Sequence, residues 1–103
     1  MPQLESDHLD LRIDLTPGEE ERKILSALDD GDCRAILRVL DKPMAPMELV
    51  QLCDVPPSTV YRKLNELKEA SLVEKSFVGR PGKGHQHVYR RRIDQVQITI
   101  NGD

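Results

Sequence analysis

The feature that most constrains this chain is a pair of predicted helices separated by a very short break. Pro46 fits the first turn of a helix that runs to Cys53, and Asp54-Val55-Pro56-Pro57 interrupts the pattern. A second helix follows over residues 57–70, with an apolar stripe at i, i+4 and i+7 formed by Val60, Leu64 and Leu67. Because so short a connection holds the second helix at a fixed angle to the first, the pattern predicts a helix-turn-helix.

A basic segment rich in glycine and proline follows the longer helix. Residues 73–78 and 87–93 are predicted strands, and residues 79–86 between them, GRPGKGHQ, predict a hairpin loop. The cations of this region are Lys75, Arg80, Lys83, Arg90, Arg91 and Arg92. A cationic hairpin beside a helix-turn-helix predicts a wing that reaches backbone phosphates or the minor groove of DNA.

Two alternating segments flank this unit. Apolar and charged residues alternate strictly in residues 9–15, LDLRIDL, and residues 96–100, VQITI, alternate again. A period of two is typical of a half-buried strand, and each strand alone would expose an apolar row. We therefore expect the two strands to pair, either within one subunit or across a dimer interface.

Two further helices precede the helix-turn-helix. The first covers residues 18–29, and we expect Thr16 to cap it, Pro17 to open it and Glu19 to complete a capping box. The second covers residues 32–41, with Asp32 as its predicted cap.

Together these elements predict one α+β domain, mainly helical: a winged helix-turn-helix with a basic β-hairpin wing and extra strands near both ends. A chain of 103 residues has the size of one common domain. We assign residues 19–93 to the winged helix-turn-helix, residues 1–18 to a tail with the first strand, and residues 94–103 to a C-terminal strand and tail.

The charge distribution indicates a localised anionic partner. The net charge is −3, yet residues 1–32 carry ten acids and three bases, whereas residues 72–103 carry three acids and six bases. One basic segment on an otherwise acidic chain favours nucleic acid as the partner. A solvated charged surface is the alternative, so the assignment depends on a scaffold that directs the charge.

Residues 47–75, MELVQLCDVPPSTVYRKLNELKEASLVEK, resemble winged helix-turn-helix regulators, in particular archaeal ArsR-like transcriptional regulators. With the preceding helix and the wing, the resemblance covers roughly residues 20–93. It implies a sequence-specific regulator that binds double-stranded DNA. The residues that carry it are Glu48-Leu49, Val55, Ser58-Thr59-Val60-Tyr61-Arg62, Leu64, Leu67 and Ala70-Ser71-Leu72-Val73.

The chain departs from the usual motif at the turn. Asp54 stands where such motifs often have glycine, but aspartate adopts left-handed geometry more readily than most residues, so we expect the turn to persist. Pro56-Pro57 replaces the usual polar cap. Pro57 suits the first helical position, whereas Pro56 offers no cap oxygen.

Helical geometry selects the residues that face DNA. A step of about 100° per residue puts Ser58, Arg62 and Asn65 opposite the apolar stripe, although Asn65 lies far along the helix. We expect Arg62 to bind a guanine edge and Lys63 a phosphate. For Tyr61, packing against the preceding helix is an equal alternative to DNA contact. The predicted DNA-binding residues of this helix are Pro57, Ser58, Thr59, Tyr61, Arg62 and Lys63.

In the wing, the predicted DNA-binding residues are Arg80, Lys83, His85 and Arg90. Gly79-Arg80-Pro81 resembles the core of AT-hook peptides, which implies that Arg80 enters a minor groove. Because consecutive strand residues alternate faces, we expect Arg90 and Arg92 on one face and Arg91 on the other. A basic loop without a partner is the alternative for the wing.

Metal sensing is a weaker hypothesis, which arises because ArsR-like proteins include metal sensors. The available ligands are Cys33, Cys53, His85 and His87, with His8 remote, and they form no CxxC motif and no helical i, i+4 pair. We therefore predict no metal and no other cofactor, and we expect both cysteines to pack as small side chains.

An enzyme and a protein-binding module are the two other classes of function to compare with the sequence. The sequence contains no glycine-rich phosphate loop after a strand, no nucleophile elbow and no HExxH, so we do not predict an enzyme. A winged helix that binds another protein is the main alternative, because the acidic N-terminal third opposes DNA binding. If Arg62, Lys63, Arg80 and Lys83 lie on one surface, DNA binding is favoured, whereas scattered charge favours a protein-binding module.

The expected setting is the cytoplasm, with reduced thiols and no membrane partner. No apolar run approaches the roughly 18 residues that span a bilayer, and no secretory signal is visible. We expect a homodimer, since two-fold symmetry places two recognition helices about 34 Å apart, one turn of DNA. The sequence does not indicate any small-molecule effector.

Overall fold

Four helices and four strands make up the part of the chain that the computed structural model describes, residues 9–14 and 18–99. The predicted order of elements is confirmed. The elements are β1 (Leu9–Asp14), α1 (Glu19–Asp29), α2 (Gly31–Val39), α3 (Pro46–Cys53), α4 (Pro57–Glu69), β2 (Val73–Arg80), β3 (Gly84–Arg91) and β4 (Ile93–Thr99).

The core lies between the four helices and the base of the β2–β3 hairpin. The predicted stripe on α4 is confirmed, because Val60, Leu64 and Leu67 are all fully buried. Truncation of a buried leucine to alanine costs roughly 2–5 kcal/mol, so the packing of this stripe fixes the position of α4 against the other helices. The other fully buried side chains are Cys33, Ile36, Leu40, Leu49, Leu72 and Val73.

Helix α1 begins differently from the prediction. Its N-cap is Gly18, and the Glu21 carboxylate accepts the backbone N–H of Gly18 at 2.9 Å. The capping-box carboxylate is therefore Glu21 rather than Glu19, because the helix starts later than a cap at Thr16 would require. Thr16 and Pro17 themselves lie outside the described residues.

Helix α2 also has a different cap. The carboxylate of Asp30, not that of Asp32, accepts the backbone N–H of Cys33 at 2.9 Å. The prediction chose the later of two aspartates that could both cap the helix. Asp32 instead lies in the first turn, where the helix dipole favours a negative charge.

The helix-turn-helix forms as predicted around Asp54. This residue has φ 55° and ψ 45°, the left-handed conformation, and its N–H donates to the Val50 carbonyl at 3.1 Å. Helix α4 then begins at Pro57, and Pro56 at the N-cap makes no side-chain capping bond.

The hairpin is longer and its loop shorter than predicted. Strands β2 and β3 pair antiparallel from Val73 opposite Arg91 to Arg80 opposite Gly84, so most of the predicted loop 79–86 is strand. The chain reverses within residues 81–83, where Gly82 has φ 75° and Lys83 N–H donates to the Arg80 carbonyl at 2.9 Å. Gly84, at the start of β3, has φ 68°, so two left-handed glycines complete a turn that the sequence pattern had spread over eight residues.

The body holds the hairpin through a single antiparallel β-bridge between Met44 and Tyr89. Met44 and Tyr89 exchange two backbone hydrogen bonds, of 3.0 and 2.8 Å, immediately before α3 begins. Strand β3 therefore lies between β2 and the α3 start, which places the N-terminal turn of α3 beside the wing.

The terminal strands pair with each other within one subunit, one of the two arrangements predicted. Strand β1 runs parallel to β4, from Leu9 opposite Ile93 to Asp14 opposite Thr99, with a register shift after Leu9. Strand β4 begins at Ile93 rather than at residue 96. Leu15 and Ile100, which the prediction included, lie outside the described residues.

Candidate nucleic-acid interface

The exposed face of α4 carries the residues predicted to face DNA. Ser58, Arg62 and Asn65 are exposed opposite the buried stripe, and Pro57 is exposed at the first helical position. Thr59 is half-buried at the margin of this face. The face is therefore polar with one cation, a composition that suits base edges and phosphates.

Arg62 and Tyr61 are the two large side chains on this face. Within residues 18–99, Arg62 makes no ion pair, so its guanidinium is available for a bidentate contact. Tyr61 is 51% exposed, so it is not sequestered by packing against α3.

Lys63 lies on a different side of the helix. Its ammonium is 2.6 Å from the Asp30 carboxylate and 3.7 Å from that of Glu66, and only 12% of its side chain is exposed. This placement opposes the predicted phosphate contact, because the cation is directed at the α2 N-cap rather than outward.

Electrostatics reinforce the Lys63–Asp30 contact. The hydrogen bond from Lys63, with that from the Cys33 backbone N–H, holds the pKa of Asp30 below its ordinary value. The same hydrogen bond to Asp30 raises the pKa of Lys63. Both groups are thus held in their charged forms, which ties α4 to the junction between α1 and α2.

One face of the hairpin presents aromatic rings. In the β2–β3 register Phe77 lies opposite His87, and Gly79 lies opposite His85, so these residues share a face with Lys75 and Tyr89. The Phe77 ring centroid is 5.5 Å from that of His85 and 4.8 Å from that of His87. Phe77 is 61% exposed, so this face ends in an open, stacked cluster.

A groove joins this hairpin face to α4. We call it the Tyr61 groove; Lys75 lies on its rim with its Nζ 5.8 Å from the Tyr89 ring centroid. The structure therefore brings Tyr61 of α4 together with His87 and Lys75 of the hairpin, although Tyr61 and His87 are far apart in the sequence. The groove is lined by Ala45, Pro46, Met47, Tyr61, Lys75, Gln86, His87 and Tyr89.

Arg80 and Lys83, at the wing tip, are tied to α3. The Arg80 guanidinium binds both Glu48 oxygens, at 3.1 and 3.2 Å, and donates to Gln86 Oε1 at 3.0 Å. Lys83 Nζ lies 3.7 Å from Glu48 Oε2. The hydrogen bonds from Arg80 and then from the Ala45 N–H lower the pKa of Glu48 to about 2.

The three consecutive arginines anchor the hairpin base. Arg90 and Arg92 both approach the Glu74 carboxylate, at 2.7 and 3.7 Å, whereas Arg91 donates to the Leu37 carbonyl at 2.8 Å and lies 3.6 Å from Asp94. The predicted alternation of faces is confirmed. Arg90 thus has a carboxylate partner where a DNA contact had been predicted.

Four cations whose clustering would favour DNA binding do not form one surface. Arg62 points outward from α4, Lys63 towards α2, and Arg80 and Lys83 towards α3. Sequence reasoning also missed four residues of this region: Glu48, Lys75, Phe77 and His87. The alternation of strand residues would have paired the last three, had the hairpin turn been located correctly.

Both cysteines pack as expected for small side chains, to different degrees. Cys33 is fully buried, and burial raises its pKa to about 11. Cys53 is half-buried against the core, and burial raises its pKa too. In the part of the chain that the structure describes, no three histidine, cysteine or acidic side chains gather in a way that would hold a metal.

Comparison with known proteins decides the fold. Residues 28–76 match the sequence model of a family described as a helix-turn-helix domain, and this segment runs from the end of α1 into β2. The chain folds as a winged helix-turn-helix. The basic hairpin is its wing, α4 is the second helix of the helix-turn-helix, and the predicted α+β class is confirmed.

Similar folds are found among solved structures. One is a protein described as a possible transcriptional regulator from Methanosarcina mazei Go1, which is 23% identical with a TM-score of 0.51. The match covers 72% of this chain and 66% of that chain, so this chain spans about two thirds of that protein's length. No curated protein matches the chain significantly. Among the described residues no helix has the length and apolar character needed to cross a membrane.

Proposed function

We propose that this chain is a cytoplasmic transcriptional regulator that binds double-stranded DNA in a sequence-specific way, with α4 in the major groove. The observation that carries the proposal is the continuity between the exposed face of α4 and the aromatic face of the wing through the Tyr61 groove. A helix fits the major groove, and a wing beside it reaches the adjacent backbone. The resemblance of residues 47–75 to archaeal ArsR-like regulators supports the same function.

Within this proposal Arg62 binds a guanine edge. Pro57, Ser58 and Thr59 lie at the start of α4, where they contact the DNA backbone and so position the helix. Tyr61 contacts a base or sugar at the groove, His85 approaches the backbone from the wing, and Lys83 does so in competition with Glu48. Arg62 is supported by its exposure and its lack of an ion pair within residues 18–99. Lys63 is left out of the interface because of its contact with Asp30.

The proposed assembly is a homodimer, so that two recognition helices meet successive major grooves about 34 Å apart. No effector is assigned. A palindromic binding site with half-sites one turn apart would support the dimer, whereas a single asymmetric half-site would oppose it.

The deciding experiment is selection of binding sequences from a pool of random duplexes at two salt concentrations. Arg62→Ala is then compared with Arg38→Ala, which removes the same charge from an exposed position on α2. We expect Arg62→Ala to cost roughly 1–3 kcal/mol on the selected site and to relax the preference at one base pair, and Arg38→Ala to change neither. Equal affinity and preference for the parent and both variants would contradict the proposal.

A winged helix that binds a protein is the second candidate. Exposed apolar side chains favour it, since Met47, Tyr61 and Phe77 are each more than half exposed at or beside the Tyr61 groove. Scattered cations favour it as well. Failure to enrich any sequence at either salt concentration would favour this candidate over DNA binding.

A further inference from the structure

The Glu48 carboxylate holds three partners from two parts of the chain. It accepts the Ala45 N–H at 2.7 Å, which closes the first turn of α3. It also binds Arg80 through both oxygens and lies 3.7 Å from Lys83. One carboxylate thus caps a helix and holds both cations of the wing tip.

This arrangement places a negative charge at the surface that a winged helix would present to phosphates. The side chain of Arg80 is 24% exposed and that of Glu48 is 33% exposed, so both remain in reach of solvent and of a ligand. Glu48 engages both Nη1 and Nη2 of Arg80 and neutralises the charge that would attract a phosphate, so Arg80 binds a phosphate less strongly while Glu48 holds it. DNA must therefore compete with Glu48 for Arg80, and in part for Lys83.

We propose that Glu48 is a specificity-determining residue: it withholds the wing cations Arg80 and Lys83 from phosphates and so suppresses binding to duplexes of arbitrary sequence. The inference rests on the proposed DNA-binding function. Binding to arbitrary sequences rests almost wholly on phosphate contacts, and such a complex is free to settle where the wing cations meet phosphates best, so a carboxylate that neutralises those cations weakens this complex most. In a complex with the correct site, base contacts from α4 fix the position of the wing, so the wing cations contribute less to affinity there. Neutralising these cations therefore lowers the specific affinity less than the non-specific affinity, and the ratio of the two rises.

Glu48→Gln is a suitable variant because it removes the charge and keeps an oxygen that can cap the Ala45 N–H. Glu48→Asp keeps the charge and withdraws it by one methylene group, so it should behave between the parent and Glu48→Gln. Glu20→Gln on α1 is the control for loss of one negative charge. The double variant Arg80→Gln/Lys83→Gln, with and without Glu48→Gln, tests whether the effect passes through the wing cations. Circular dichroism and thermal unfolding establish that each variant folds.

The measurement is affinity for the selected duplex and for a scrambled duplex, each over a range of salt concentrations. We expect Glu48→Gln to bind the scrambled duplex roughly tenfold more tightly at low salt, and to gain less on the selected duplex. The slope of log affinity against log salt should steepen by about one to two, corresponding to one or two new phosphate contacts. In the Arg80→Gln/Lys83→Gln background the gain should disappear, and Glu20→Gln should leave the parent's ratio unchanged.

Three outcomes would overturn the inference while leaving DNA binding intact. Weaker binding by Glu48→Gln would mean that Glu48 organises the wing for DNA, and unchanged binding would mean that it plays no part. A gain that persists without Arg80 and Lys83 would mean that the carboxylate repels DNA directly. If neither the parent nor any variant binds any duplex, the proposed function itself fails, and this inference fails with it.

Discussion

The Lys63 ammonium lies 2.6 Å from the Asp30 carboxylate, and this contact joins α4 to the cap of α2. Asp30 therefore serves two elements, because it also accepts the Cys33 N–H that opens α2. Lys63 adds a second contact to Glu66 on its own helix, at 3.7 Å. Lys63 therefore stabilises the packing of α4 against the rest of the fold. The large exposed side chains on the solvent-facing side of α4 are those of Arg62 and Tyr61.

Lys63→Ala should lower the free energy of unfolding rather than DNA affinity. Loss of a partly buried, charge-assisted hydrogen bond leaves Asp30 without its cationic partner, which costs roughly 1–3 kcal/mol. Chemical denaturation measures this loss, and titration with the selected duplex measures binding by the folded protein. Lys68→Ala, at an exposed position of the same helix, is the control and should leave stability nearly unchanged. A variant at Lys63 with full stability and weakened DNA binding would restore the phosphate contact predicted from the sequence.

Stability at acid pH should depend on Glu48. Its pKa is about 2 in the folded chain against an ordinary value of 4.5, first because of the hydrogen bonds from Arg80. A carboxyl group with a depressed folded pKa contributes stability that is fully present above pH 4.5 and is lost as pH falls towards 2. We therefore expect Glu48→Gln to be less stable than the parent near pH 7 and to converge with it near pH 2.

Urea denaturation at several pH values checks this prediction, with Glu20→Gln as the control for an exposed acid on α1. A constant difference between the parent and Glu48→Gln across the whole range would show that the charge of Glu48 does not stabilise the fold. Asp30 has a depressed pKa for a similar reason, so part of the acid sensitivity should remain in Glu48→Gln.

Local patterns in the sequence predicted the elements better than their contacts. The stripe on α4 repeats every three to four residues, so Val60, Leu64 and Leu67 identify the buried face without knowledge of the rest of the fold. The left-handed turn at Asp54 is equally local. Such features depend only on neighbouring residues, and they were predicted correctly.

Contacts between distant residues could not be predicted in this way. Lys63 meets Asp30 across 33 positions, and Arg80 meets Glu48 across 32, so both pairs depend on how helices and hairpin pack. The hairpin loop was predicted too long for a different reason. Several glycines near the tip each permit a turn, and only the pairing of the strands selects Gly82. The aromatic face of the wing follows from that register.

The two thiols should react at very different rates. Cys33 is fully buried and burial raises its pKa to about 11, so little thiolate exists near neutral pH and no reagent reaches it without opening of the fold. Cys53 is only half-buried. Alkylation of Cys33→Ser and Cys53→Ser followed by mass spectrometry separates the two sites. We expect Cys53 to be modified first, and modification of Cys33 to accelerate in step with added denaturant. Equal rates in the absence of denaturant would contradict the packing of Cys33 between α2 and α4.

Asp54→Gly should stabilise the chain. Asp54 holds φ 55° between the two helices of the motif, and a residue with a side chain pays a cost in the left-handed region that glycine does not. Glycine also gives the unfolded chain more freedom, which offsets part of this gain. The balance should raise the free energy of unfolding by up to about 1 kcal/mol. Asp54→Val should lower it by more than this amount, because a branched side chain fits the left-handed region poorly.

Thermal and chemical unfolding compare the two variants, and Asp41→Asn, at an exposed position, controls for loss of the charge. If both Asp54 variants lose stability equally, the aspartate side chain itself must stabilise the turn, and backbone geometry would not be the reason that the motif tolerates it.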